Sequence, residues 1–256
     1  MRLLAALLLA LATLVPACAQ TGPTADLVTL RSQALGEDRA INIYVPPGYA
    51  EWKGRYPVLY MLDGGVREGF ASMTMLVDQG IAKGEVQGLI LVGIAQRDRN
   101  SELVPSSRSA AFRRFIADEV KPWVEKNYRT NGHDTISGGS YGGLFVVDTL
   151  LHEPDLFDDY VAVSPSLWWG GGRLVDQGPG LLAKAPPAPR RLWLAIGNEG
   201  PTMRVDAFVA MLRKQAPAWL SWSFTPFPRE THMSVYHPAA ERWVPAFFPA
   251  RPETRT

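Results

Sequence analysis

The sequence predicts an α/β fold, a mostly parallel sheet with helices on both faces. Three observations predict it. Short continuous apolar runs, such as Tyr56–Leu62 and residues 88–94, alternate with segments of helical periodicity. Two alternating, half-buried strands precede those runs and are joined by a tight turn. Finally, Gly138-Gly139-Ser140-Tyr141-Gly142 stands between a strand-like segment and an apolar helix-like one.

The elements follow in order. Residues 28–34 and 39–45 read as a hairpin, because Ile41, Ile43 and Val45 alternate with Asn42 and Tyr44. Residues 35–38 supply its turn, and Pro46-Pro47-Gly48-Tyr49 ends it. Tyr56–Leu62 is apolar throughout, as expected of a strand buried on both faces, and it stops at Asp63-Gly64-Gly65. Residues 88–94 form a second such strand, with a helix over 70–81 between the two. Over 111–128, Phe112, Phe115, Ile116, Val120, Val124 and Tyr128 recur at helical steps. Pro122 should kink that helix or begin a second segment. Strands are expected over 134–137, 160–163, 191–196 and 220–225, and helices over 207–215 and 238–248. Residues 178–190, rich in Gly, Pro and Ala, read as a surface connection.

Composition narrows the function classes. Arg2, an uncharged apolar run over 3–15 and the small residues Pro16-Ala17-Cys18-Ala19 make a secretory leader, too short for a stable membrane span. Cleavage after Ala19 gives an exported or periplasmic chain of residues 20–256, expected to be one domain. A lipoprotein-type signal over 1–17 would instead leave Cys18 as a lipid anchor. Cys18 is the only cysteine, so no internal disulfide is available and the core must carry the fold. Without Arg2, the 26 basic residues become 25, against 25 acidic ones, and no basic run stands out. Nucleic acid is therefore excluded as an expected partner. No HExxH or clustered Cys/His spacing is present, and no metal or organic cofactor is expected.

The hairpin followed by parallel units matches an α/β-hydrolase, and in that context Gly138–Gly142 is a nucleophile elbow. Ser140 then stands exposed at the turn and needs a base and an orienting acid, in the chain order Ser, acid, His. Two histidines lie far downstream. His232 follows the last strand, where the base belongs, and His237 is the alternative. For the acid, Glu199 lies just beyond the strand over 191–196, with Asp206 as its main rival and Glu230 a further candidate. The oxyanion needs two N–H donors, expected from Tyr141 and from Gly65 in the Asp63-Gly64-Gly65 turn. Trp168 and Trp169, with Tyr141 and Phe70, are candidates to line the substrate pocket.

These residues resemble the esterase branch of the α/β-hydrolases, which includes siderophore esterases, S-formylglutathione hydrolases, feruloyl and acetylxylan esterases and mycolyltransferases. The resemblance is carried by Tyr56–Leu62 with Asp63-Gly64, the helix through Phe115 and Pro122, the elbow, and Glu230-Thr231-His232-Met233-Ser234. Ser164-Pro165-Ser166-Leu167-Trp168-Trp169 is similar to the siderophore-esterase members in particular. Gly139 departs from the pattern, since many relatives carry histidine there. The resemblance implies an exported serine carboxylic ester hydrolase acting through an acyl-enzyme on a small-molecule ester, with little or no lid. Acyl transfer to a sugar or lipid alcohol, and a non-catalytic envelope binding protein on the same scaffold, are the alternatives.

Overall fold

A computed structural model describes residues 25–65, 68–184 and 189–250. The expected leader and Cys18 lie outside the described residues. Eight strands form one sheet: β1 (Ala25–Ser32), β2 (Glu37–Tyr44), β3 (Tyr56–Leu62), β4 (Ile90–Ile94), β5 (Thr130–Gly139), β6 (Asp159–Val163), β7 (Arg190–Ile196) and β8 (Leu220–Pro226). Their spatial order is β1-β2-β4-β3-β5-β6-β7-β8. β1 pairs antiparallel with β2 and β2 with β4, and every later pairing is parallel. This is the predicted α/β-hydrolase architecture.

The period of the strands divides the core between the two faces. Val58, Tyr60 and Leu62 of β3 belong to one apolar cluster, Leu59 and Met61 to the other. β6 divides in the same way, Tyr160 and Ala162 against Val161 and Val163. The first face is covered by α3 (Ser107–Arg114), α5 (Tyr141–His152) and α7 (Val205–Gln215), through Phe112, Leu144, Val147 and Phe208. The second is covered by α1 (Phe70–Ala82) and α8 (Tyr236–Phe247), through Phe70, Val77 and Trp243. Each such fully buried side chain contributes about 1.5–3 kcal/mol. No described helix is long and apolar enough to cross a membrane.

Two prolines mark local departures. Pro57 sits inside β3, and the register against β5 shifts between Tyr56 and Val58, since proline has no N–H to give the ladder. Pro122 falls in the first turn of α4 (Lys121–Asn127), where its missing N–H costs least. A π-helical stretch, Phe115–Val120, joins α3 to α4, so the expected helix continues as separate segments.

The connection expected over 178–190 is corrected in its first half. α6 (Arg173–Lys184) spans those positions despite Pro179. Leu174, Val175 and Leu182 put one face of α6 into the core. Gly178 allows close packing, because a Cβ there would lie 2.8 Å from Met211 Cε on α7. Tertiary packing overrides the composition of the segment.

Candidate active site

The site lies at the carboxyl ends of the strands, where open α/β sheets place their ligands. Three residues there are non-glycine and have positive φ: Asp63 after β3 (52°), Ser140 after β5 (56°) and Ser164 after β6 (42°). Such backbone is costly and persists only where its surroundings hold it. Ser140 N–H donates to Val163 O (3.0 Å) and Ser164 N–H to Ala195 O (2.8 Å), so both turns are tied to the neighbouring strand end. Gly138 makes the elbow fit, because a Cβ there would fall 2.5 Å from the Gly142 carbonyl carbon.

Ser140 Oγ lies 2.9 Å from His232 Nε2, and His232 Nδ1 lies 2.9 Å from Glu199 Oε1. The elements that build this line are joined by backbone. Phe227 N–H donates to Ile196 O and Asn198 N–H to Glu230 O, both at 2.7 Å, which clamps the loop after β8 onto the loop after β7. Gly197 permits the clamp, since a Cβ there would lie 2.7 Å from Glu230 O and 2.8 Å from Glu199 Oε2. Burial pushes the Glu199 carboxyl up, but the nearby Ser164 hydroxyl and the His232 ring outweigh it and hold the group below its ordinary value. Glu199 is therefore a carboxylate at neutral pH, able to accept from Nδ1–H and leave Nε2 as the acceptor for the serine hydroxyl.

The other candidates lie elsewhere. Asp206 is exposed in the first turn of α7, Glu230 accepts from Ser234 Oγ (2.7 Å), and His237 is on α8 with Glu241 3.7 Å away. Tyr141 begins α5, so its N–H has no intrahelical acceptor. Gly65 does not present a free donor, because its N–H donates to Glu68 Oε2 at 2.8 Å.

A cleft of about 450 Å³ opens at Ser140, lined among others by Met61, Asp63, Glu68, Arg99, Met233 and Tyr236. Trp168 and Trp169 are not in its lining, nor is Phe70. Trp168 is 44% exposed and stands 6.1 Å, centroid to centroid, from the Tyr141 ring. Trp169 packs against the core, and Phe70 is buried beneath α1. Around Ser140 the cleft wall is formed by thioether, aliphatic and charged groups, with Tyr236 its aromatic member.

Sequence reading missed Arg99, Glu68 and Tyr236. Arg99 opens α2 (Arg99–Glu102), and nothing local marks it as reaching β3. Its Nε and Nη2 meet the two Asp63 carboxylate oxygens at 2.5 and 2.7 Å. Tyr236 fills the space left by Gly139, where a Cβ would lie 3.0 Å from its ring. Its hydroxyl, 3.4 Å from Ser137 Oγ, is pushed up to about 12 by burial.

Fold and site together define an α/β-hydrolase whose elbow serine is in contact with a histidine–carboxylate pair. The chain belongs to the "Putative esterase" family, whose model matches residues 32–252. It is 31% identical over 163 residues to the ferri-bacillibactin esterase BesA of Bacillus subtilis, covering 52% of this chain and 56% of that one. It is 36% identical over 116 residues to a siderophore enterobactin esterase of Emericella nidulans, covering 42% and 38%. The chain thus spans about half the length or less of these two curated relatives. Among solved structures, an IroE-like serine hydrolase from Shewanella oneidensis superposes with a TM-score of 0.81 at 27% identity, covering 88% of this chain and 80% of that one.

Proposed function

We propose that this chain is an exported serine ester hydrolase of the siderophore-esterase type, working through Ser140, His232 and Glu199. The observation that carries the reading is the continuous line Ser140 Oγ–His232 Nε2 and His232 Nδ1–Glu199 Oε1, 2.9 Å at each step. Export rests on the apolar leader over 3–15.

Ser140 Oγ bonds to the ester carbonyl carbon while its proton passes to His232 Nε2. The carbonyl π pair moves onto oxygen, and Tyr141 N–H supplies one donor to that oxyanion. Gly65 N–H serves as the second once Glu68 releases it. Glu199 stays ionised and stabilises the imidazolium. The tetrahedral intermediate collapses, the ester C–O bond breaks, and the departing alkoxide takes the proton from Nε2. Water then gives a proton to Nε2 and attacks the acyl-enzyme. Collapse returns the proton to Ser140 Oγ and frees the carboxylic acid. The relatives named for ferri-bacillibactin and enterobactin support a siderophore-type ester as the substrate class.

The test is a fluorophosphonate probe on the chain, with the adduct mapped by mass spectrometry beside Ser140→Ala and His232→Ala. A His232-dependent adduct on Ser140, with turnover of catechol-lactone esters that Ser140→Ala abolishes, is the expected result. A folded sample that neither labels nor turns over any ester would overturn the reading.

A further inference from the structure

We propose that Arg99 is a positioning residue for this reaction, cancelling the charge of Asp63 beside the N-terminus of α5, where the oxyanion must form. The inference rests on the ester-hydrolase reading above.

The Asp63 carboxylate reaches the start of α5, since a Cβ on Gly142 would lie 3.4 Å from Asp63 Oδ2. The first-turn N–H groups and the helix dipole make that place favourable for an anion. An oxyanion on Tyr141 N–H would therefore form beside a carboxylate that already uses the same potential. Like charges placed so close together in a site partly shielded from water repel one another. Asp63 and Ser140 line the same cleft, together with Arg99 and Glu68.

Arg99 answers that repulsion. It meets both Asp63 oxygens as a fork, the geometry in which guanidinium binds carboxylate best. Its own pKa is raised, chiefly by the bond to Asp63. The fork does not depend on Arg99 alone. Asp98 caps α2 by accepting from Asn100 N–H (3.0 Å). Glu102, at the other end of α2, is fully buried and accepts two bonds from Arg39, at 2.6 and 2.9 Å, and one from Arg97 N–H at 3.0 Å. A buried pair of this kind is strongly destabilising to break and holds its segment in one place. Asp63 is fixed from its own side, since its N–H donates to Gln96 Oε1 (2.9 Å). A salt bridge serving only stability would need neither the positive φ at Asp63 nor a place in the cleft wall.

The experiment measures kcat and KM on an uncharged p-nitrophenyl ester for wild type, Arg99→Gln, Asp63→Asn and the double variant. Arg99→Gln should lower kcat by about 10- to 100-fold with KM within about threefold. Adding Asp63→Asn should restore at least about tenfold of that loss, because the carboxylate that Arg99 neutralises is then gone. Asp63→Asn alone should raise kcat by about two- to fivefold, since the freed guanidinium adds positive potential. A double variant as slow as Arg99→Gln overturns the proposal. So does an Arg99→Gln defect confined to KM for anionic esters, which would make Arg99 a substrate anchor. If Arg99→Gln does not fold, Arg99→Lys and Asp63→Asn decide: kcat within about fivefold for the first and no fall for the second support charge cancellation, and a tenfold fall in either overturns it. A wild type that neither labels at Ser140 nor turns over ester brings down the underlying reading, and this proposal with it. An active wild type with unrescued variants brings down this proposal alone.

Discussion

The two ends of the sheet each carry a histidine against a carboxylate, and only the pair at the carboxyl end meets a serine hydroxyl. At the carboxyl end, Glu199 holds His232 and the far ring nitrogen meets Ser140. At the amino end, Asp159 meets His133 Nε2 at 2.6 Å, but Arg191 grips the same carboxylate with Nε and Nη2, and Thr135 Oγ1 donates to it at 3.3 Å. The His133 Nδ1 side looks toward another carboxylate, Asp158, at 3.8 Å. The backbones differ as well. Positive φ at non-glycine residues occurs at three turns around Ser140, whereas among the described residues none falls at the amino ends of β5, β6 or β7. At the carboxyl end, strained turns present the free ring nitrogen to a hydroxyl; at the amino end the pair also borders a cleft, of about 430 Å³, but with Arg190 and Arg191 in its wall. The same pair among arginines becomes an anchor.

The comparison can be broken most sharply at the carboxyl end. His232→Ala should lower kcat/KM by about 10⁴-fold or more, and Glu199→Gln by about ten- to a hundredfold less than that, because the acid orients and stabilises while the imidazole carries the proton. Steady-state kinetics on one activated ester decides this, and equal losses would mean that Glu199 does more than orient. At the amino end, Asp159→Ala should cost about 1–3 kcal/mol of stability in urea unfolding, because it removes the anion shared by Arg191 and His133, both of which keep contact with water. Its kcat should stay within about twofold of wild type. A large activity loss at full stability would mean that the two ends of the sheet are coupled. The smallest effect concerns pH. The Asp159 hydrogen bond raises the His133 pKa above its ordinary 6.5. Its stabilisation is thus fully present below that ordinary value and is lost as pH rises through the raised one. The melting-temperature gap between wild type and His133→Asn should be widest near about pH 5 and shrink toward about pH 9. A gap that grows with pH would reverse the sign and refute the assignment.

How much of this was readable beforehand divides along range. The elbow was legible because glycine spacing is local and steric, as the 2.5 Å approach at Gly138 demonstrates. The strands of the sheet were legible because burial on both faces leaves continuous apolar runs such as β3. Glu199 and His232 were singled out by their places after β7 and β8, and the structure brings them into contact. What was hidden depends on distant partners. Nothing near Gly65 announces that its N–H is already given to Glu68, nor does anything near Arg99 announce a fork with a residue 36 positions away. The place of the tryptophans outside the cleft lining was not legible, because aromatic side chains near a strand end pack outside a cleft as readily as inside one. α6 was hidden by Gly178 and Pro179, which read as loop until the close packing on α7 is seen.

The contact between Gly139 and Tyr236 sets an order on how the site can change. A side chain at Gly139 would press on the Tyr236 ring from 3.0 Å, whereas shortening Tyr236 first opens room beside Gly139. A library that varies Gly139 alone should accept fewer side chains than the same library on a trimmed Tyr236 background. The two positions, 97 apart in the chain, thus change their tolerance together through one contact.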